Sequence, residues 1–237
     1  MKTIAVIGAS GSTGRLACEH ANAAGADVIA IDRDEPDPAD RLEDVRYRRA
    51  DVLKGDLNPA LEGCDAVIST LGLPFTAKNA LDPPPLYTRG TQRIVQTMEE
   101  LNIRRLAVIS AAFVTEQPAL PTWFSMTVVP ALSRILDQMR EMERSIETNP
   151  ALDWTIVRPG WLLDEPAQGK LLTGEERLPE GAFRCREGDL ARFLVESVLE
   201  DRHIGRKPAI GAPEPHEHES PAALGEALLE MLPKPPG

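Results

Sequence analysis

The sequence predicts a doubly wound, mostly parallel α/β sheet, on three observations. Short runs rich in Val, Ile and Ala alternate with helical patterns along the chain, as in parallel strands joined by crossover helices. The runs are apolar almost without interruption, as strands buried on both faces are. At the N-terminus one such run, Thr3 to Ile7, breaks into the turn Gly8-Ala-Ser-Gly11-Ser-Thr-Gly14 and then into a helical pattern reaching about Ala24.

Taken in order, the second strand is Asp27 to Ile31 and the third, weaker, is Val45 to Ala50. The fourth is Ala66 to Leu71, the fifth Arg105 to Ser110 and the sixth Trp154 to Arg158. Between them, Pro59 to Leu61 makes a short turn, and Tyr87–Leu101, Ala131–Thr148 and Asp189–Leu199 are helical. Ile94, Val95, Met98 and Leu101 recur at helical spacing, which marks them as core. Two long connections, 73–85 and 111–130, leave the carboxyl ends of the fourth and fifth strands, where open α/β sheets bind ligands. Beyond Pro159 the pattern loosens into a small C-terminal lobe on the substrate side. We expect residues 1–212 to form one domain including that lobe. Residues 213–237 are expected to be a polar linker and a last amphipathic helix, Ala222 to Leu232, with Ser220-Pro221 as its start signal.

The 237 residues suffice for one large domain with a real core, and the net charge of −11 argues against nucleic acid and anionic membrane surfaces as partners. No apolar run spans a bilayer and no leader pattern opens the chain, so a cytoplasmic setting is expected. Cys18, Cys64 and Cys185 match no metal spacing. His216 and His218 alternate with glutamates in a tract that reads as solvated tail, and no metal site is expected.

The chemistry concentrates in the first turn. Gly8 permits the exit from the strand, Gly11 leaves backbone accessible to a pyrophosphate, and Gly14 lets the helix approach the sheet. The helix start at Ser12 and Thr13 offers free N–H groups and a partial positive charge to an anion. The second strand ends in Asp32-Arg33. An acid there hydrogen-bonds ribose hydroxyls and favours NAD, whereas an arginine pairs with a 2′-phosphate and favours NADP. Arg15 adds a second positive group, so the charge balance leans to NADP with NAD kept open. Asp51-Val52 is placed to meet the adenine edge and Thr70-Leu71-Gly72 to pass beneath the nicotinamide ribose; simple strand termination explains both segments equally well.

GASGSTGR, ADV at 50–52, DAVISTLG at 65–72, RRLAVIS at 104–110, DWTIVRPGWL at 153–162 and CREGDLARFL at 185–194 resemble the atypical short-chain dehydrogenase/reductases. Within that group the likeness is to the NAD(P)H-binding, NmrA-like branch that includes biliverdin/flavin reductase, and it runs from Met1 to about Pro213. The resemblance implies a Rossmann-type domain. It also implies a dinucleotide lined by Gly8, Ser10, Gly11, Thr13, Gly14, Arg15, Arg33, Asp51, Val52, Leu71 and Gly72, with Pro159 and Gly160 closing the nicotinamide side. Ser110 would stand at the active-site end of the fifth strand, where its hydroxyl is placed to hydrogen-bond a substrate oxygen or the nicotinamide amide; a strand-end serine capping backbone is the plain alternative.

One departure is informative. The typical enzyme of this group uses a Tyr-x-x-x-Lys pair after the fifth strand, in which tyrosine supplies the proton and lysine lowers its pKa. Here Tyr47 and Tyr87 are the only tyrosines, and neither has a lysine four residues on. Counting back from Glu143, the pair's places fall near Ile135 and Met139. The usual ketone chemistry therefore lacks its acid. Phe113, Trp123 and Phe124, with Met126, crowd the connection after the fifth strand, where a flat acceptor would stack; lid packing or a dimer patch explains them as readily. The expected activity is NAD(P)H-dependent reduction of a flavin, quinone or similar conjugated small molecule by a monomer or homodimer, with Ser110 or water assisting protonation. The alternatives are a dinucleotide-sensing regulator without turnover and an NAD-dependent epimerase-like enzyme.

Overall fold

The computed structural model describes residues 1–74, 76–118 and 120–215. His216, His218 and the expected last helix lie outside them. In chain order the strands are β1 (Thr3–Ile7), β2 (Asp27–Asp32), β3 (Val45–Arg49), β4 (Ala66–Ser69), β5 (Arg105–Ile109), β6 (Asp153–Pro159), β7 (Trp161–Leu163), β8 (Leu172–Gly174), β9 (Arg184–Arg186) and β10 (Ala209–Gly211). The helices are α1 (Ser12–Ala23), α2 (Asn58–Leu61), α3 (Ala77–Leu81), α4 (Thr91–Glu100), α5 (Thr122–Ala131), α6 (Ser133–Glu147) and α7 (Glu187–Leu199).

An eight-stranded sheet runs β3-β2-β1-β4-β5-β6-β10-β8, and β7 pairs with β9 in a separate ribbon. Every pair in the large sheet is parallel except the edge pair β10–β8. The fold is thus Rossmann-like. The strand order reverses between β1 and β4, so a crevice opens outside the carboxyl ends of these strands. Two segments of the loosened C-terminal region, β10 and β8, continue the large sheet beyond β6.

Alternation along β1 sends Ile4 and Val6 to one face and Ala5 and Ile7 to the other, all four buried. The first face is covered by α1 and α7 through Ala17, Ala21, Leu190 and Leu194. The second is covered by α4 and α6 through Ile94, Met98, Leu136 and Ile146. Burial on both faces explains the uninterrupted apolar strands. Among the described residues, no helix is long and apolar enough to cross a membrane.

The two long connections are more ordered than the sequence suggests. In the first, Thr76 caps α3 by accepting from the Asn79 N–H at 3.1 Å. The second holds a 3-10 turn at Ala112–Val114 and then α5, which buries Phe124 and Val128 one turn apart. The apolar run Trp-Phe-Ser-Met-Thr-Val-Val supports that helix once it packs on the body, a tertiary effect that local patterning does not show. The helix expected from Ala131 accordingly begins at Ser133, and the one expected from Tyr87 opens with a π-helical turn at Leu86–Gly90 before α4.

Candidate functional site

The turn after β1 is built by close approach. Gly8 has φ +84°, a conformation that side chains disfavour. A Cβ on Gly14 would lie 2.1 Å from the Gly8 carbonyl oxygen, so only glycine lets α1 start this near the strand. Gly11 differs: its Cβ would meet only the Gly8 oxygen, at 3.4 Å, and would otherwise project into open space. The protein thus needs glycine at 8 and 14 for its own packing, while the space at 11 is left for something else. Gly11 caps α1 with no side-chain bond. The N–H groups of Ser12, Thr13 and Gly14 have no acceptor among the described residues. This cradle fits a pyrophosphate.

From the cradle a cleft of about 910 Å³ runs across the carboxyl ends of β1, β4, β5 and β6. It brings together Gly8, Ser10, Gly11, Ser12, Thr13, Gly14, Asp32, Arg33, Asp51, Val52, Leu71, Gly72, Ser110, Phe113 and Pro159, all named from the sequence. Where the cleft meets the end of β2 the Asp32 carboxylate is already engaged. Its Oδ2 accepts from the Ser10 N–H (3.0 Å) and hydroxyl (2.6 Å), and its Oδ1 from the Arg33 N–H (2.7 Å). Asp32 therefore braces the glycine turn against β2. The Arg33 guanidinium is exposed and has no partner among the described residues. Arg15 lies off the main cleft, on a smaller neighbouring cavity, where it pairs with Glu19 and donates to the Asp40 carbonyl.

The far end is apolar. Phe113, Leu132, Ile135, Leu136, Met139 and Trp161 line it. Ile135 and Met139, the positions reached by counting back from Glu143, line this wall, and neither side chain is titratable. Trp123 and Phe124 are corrections to the expected stacking surface. Phe124 is wholly buried, with ring centroids 5.0 Å from Phe113, 5.1 Å from Trp161 and 4.8 Å from Phe183. Trp123 packs against that cluster from outside the cleft. Phe124 is drawn into the core because α5 forms and turns it inward, while Trp123 stays half-buried at the edge of that cluster.

Four residues at or beneath the cleft escaped the sequence reading. Trp161 stands in the quoted Pro-Gly-Trp stretch, and that adjacency was its only signal. Tyr87 lines the cleft, accepting from the Leu73 N–H at 3.1 Å; burial pushes its phenol up to about 12, so it stays protonated. Glu187, at the start of α7, reaches the cradle with Oε2 buried and unpartnered among the described residues. Burial raises its pKa, Asp164 nearby adds to the rise, and the Ser12 and Thr13 hydroxyls work against it. Glu143 lies beneath the floor: its Oε1 accepts from the Ser110 hydroxyl at 2.6 Å and from Arg158 Nε at 3.0 Å, and its Oε2 from the other arm of the Arg158 guanidinium. Nothing in the sequence brings positions 110, 143 and 158 together. No cluster of potential metal ligands occurs among the described residues.

A family model described as NAD(P)H-binding matches residues 8–201. UPF0659 protein YMR090W of Saccharomyces cerevisiae is 26% identical over 213 residues, covering 83% of this chain and 86% of the yeast protein. Among solved structures, the oxidoreductase ylbE of Lactococcus lactis superposes with a TM-score of 0.72 at 22% identity, over 97% of this chain and 96% of its own. A candidate NADH-flavin reductase of Streptococcus pneumoniae gives 0.70 at 21%, over 90% and 100%. A candidate NAD-dependent epimerase/dehydratase of Bacillus halodurans gives 0.73 at 23%, over 90% and 95%.

Proposed function

The chain belongs to the NAD(P)H-binding family, and from that premise we propose that it is an NAD(P)H-dependent reductase of a neutral, conjugated acceptor such as a quinone or free flavin. The observation that carries this is the continuity of one cleft from the pyrophosphate cradle to a hydrocarbon wall. The dinucleotide, when bound, supplies the hydride. Ser12, Thr13 and Gly14 would hold its phosphates through their free backbone N–H groups, over the space that Gly11 leaves open. Leu71, Gly72 and Pro159 line its path, and Phe113, Ile135, Met139 and Trp161 exclude water and seat the acceptor. With isoleucine at 135 and methionine at 139, these residues contribute approach geometry rather than an acid. Such alignment is worth about 7–11 kcal/mol in favourable cases. An acceptor that delocalises incoming charge over its own rings suits a wall without an acid.

Arg33, free to meet a 2′-phosphate while Asp32 is occupied by Ser10, supports NADPH as the cofactor. The test is NADPH and NADH oxidation with menadione, riboflavin and an aliphatic ketone in parallel. We expect turnover of the first two and little of the third. Arg33→Ala should lose NADPH affinity roughly tenfold, as for a charge-assisted contact, and leave NADH nearly unchanged. Good turnover of aliphatic ketones with none of quinone or flavin would overturn the reading. The untitratable side chains at 135 and 139 also favour a second one, a dinucleotide sensor. Tight cofactor binding with silence on every acceptor would establish that instead.

A further inference from the structure

We propose that Glu143 fixes the polarity of Ser110, making it a hydrogen-bond acceptor toward the cleft that selects a dinucleotide through the N–H of its nicotinamide carboxamide. This rests on the dinucleotide reading above and sharpens it.

The side chains of Arg158 and Glu143 are 3% and 5% exposed. The two are joined through both carboxylate oxygens, so Glu143 is a carboxylate with no proton of its own to give. In the 2.6 Å contact with Glu143 Oε1 the proton is therefore that of Ser110. A hydroxyl has one hydrogen and two lone pairs. With the hydrogen turned down to Glu143, only lone pairs remain for the cleft, and Ser110 Oγ receives no donor among the described residues. The carboxylate is itself locked: Arg158 is tethered to the Glu176 carbonyl at 3.4 Å and pairs with the Glu176 carboxylate at 3.5 Å. On α6 the same stripe carries Ile135, Met139 and Glu143 at four-residue steps, and the first two line the cleft. The helix thus offers hydrocarbon to the acceptor and, one turn deeper, the charge that orients Ser110. Glu143 is a positioning residue. Ser110 does not supply the proton, contrary to the role read from the sequence.

A ligand group above Ser110 must then be an N–H or O–H donor. The carboxamide has one. The acetyl group of 3-acetylpyridine adenine dinucleotide, otherwise alike, has only an acceptor. Calorimetric titration of the oxidised natural and acetylpyridine dinucleotides, in matched phosphorylated or unphosphorylated forms, reads the difference without turnover.

We expect the wild-type protein to prefer the carboxamide roughly three- to tenfold, the range of a single neutral hydrogen bond. Glu143→Leu, which removes the acceptor of the Ser110 hydroxyl, should free its proton to turn into the cleft and bring the preference toward unity. Ser110→Ala, which leaves the ion pair in place, should abolish the preference; it decides the matter should Glu143→Leu fail to fold. An acceptor hydroxyl as the true partner would show as equal binding of both dinucleotides to the wild type, and would overturn the assignment. So would an unchanged preference in Ser110→Ala. Failure of wild-type protein to bind either dinucleotide would instead overturn the functional reading itself, and this inference with it.

Discussion

At the scale of single residues, the three glycines of the first turn separate into two classes. Gly8 and Gly14 serve the protein's own packing, while Gly11 serves the ligand, because its missing side chain borders open space. Gly11→Val should therefore fold normally and lose NAD(P)H affinity by well over tenfold, or about 1.4 kcal/mol. Gly14→Ala should fail to fold stably. Calorimetry and thermal melting of the two variants check the contrast. Glu187 poses the opposite problem, a carboxylate at a cradle for anions. Burial raises its pKa, so the folded protein takes up its proton above the ordinary carboxylate range. The stability it contributes is present at low pH and is lost as pH rises through the raised value. A bound pyrophosphate adds negative charge beside it and raises the pKa further. Cofactor affinity should therefore rise as pH falls through that range, and Glu187→Gln should bind more tightly at neutral pH. The gap between variant and wild type should close in acid. Titrations at several pH values showing parallel lines for the two proteins would refute this account.

At the scale of elements, α5 and α6 decide what the cleft is made of. The sequence places the aromatic cluster on an open connection. The structure makes that stretch a helix, which commits Phe124 to the core and leaves Met126 exposed. Phe124→Ala should then cost about 3–5 kcal/mol of stability, as for a large side chain removed from a packed interior. Trp123→Ala should cost much less and leave the Michaelis constant for the acceptor unchanged. Denaturant melts and steady-state kinetics on the pair measure both. A raised Michaelis constant for Trp123→Ala would restore it to the substrate wall. The missing Tyr/Lys pair was legible without coordinates, because neither Tyr47 nor Tyr87 has a lysine four residues on. The use made of Glu143 was not legible, because its partners sit 33 residues away at Ser110 and 15 at Arg158.

At the scale of the whole molecule, a ligand held between both halves of the sheet couples binding to global stability. Saturating NADPH at a hundredfold excess over its dissociation constant should stabilise the protein by about 2.7 kcal/mol. For a chain of this size that is roughly 5–10 °C in melting temperature. The shift should vanish in Gly11→Val, and a differential-scanning experiment reads it directly. A shift that persists in that variant would place the dinucleotide elsewhere.

The sequence by itself determined the α/β class, the six parallel strands, the glycine cradle and the absence of the usual acid pair. Each of these is written in local pattern: strand periodicity, a turn that only glycine permits, and residue spacing on one helix. The tertiary structure decided the rest. It added β10 and β8 to the sheet, ordered the connections into helices, drew Phe124 inward, turned Arg15 aside and set Glu143 under Ser110. These outcomes depend on packing energy and on partners distant in sequence, neither of which a local window contains. A strand of three residues or a marginal helix is stable only against its neighbours. A buried carboxylate acquires its role only from the groups that surround it.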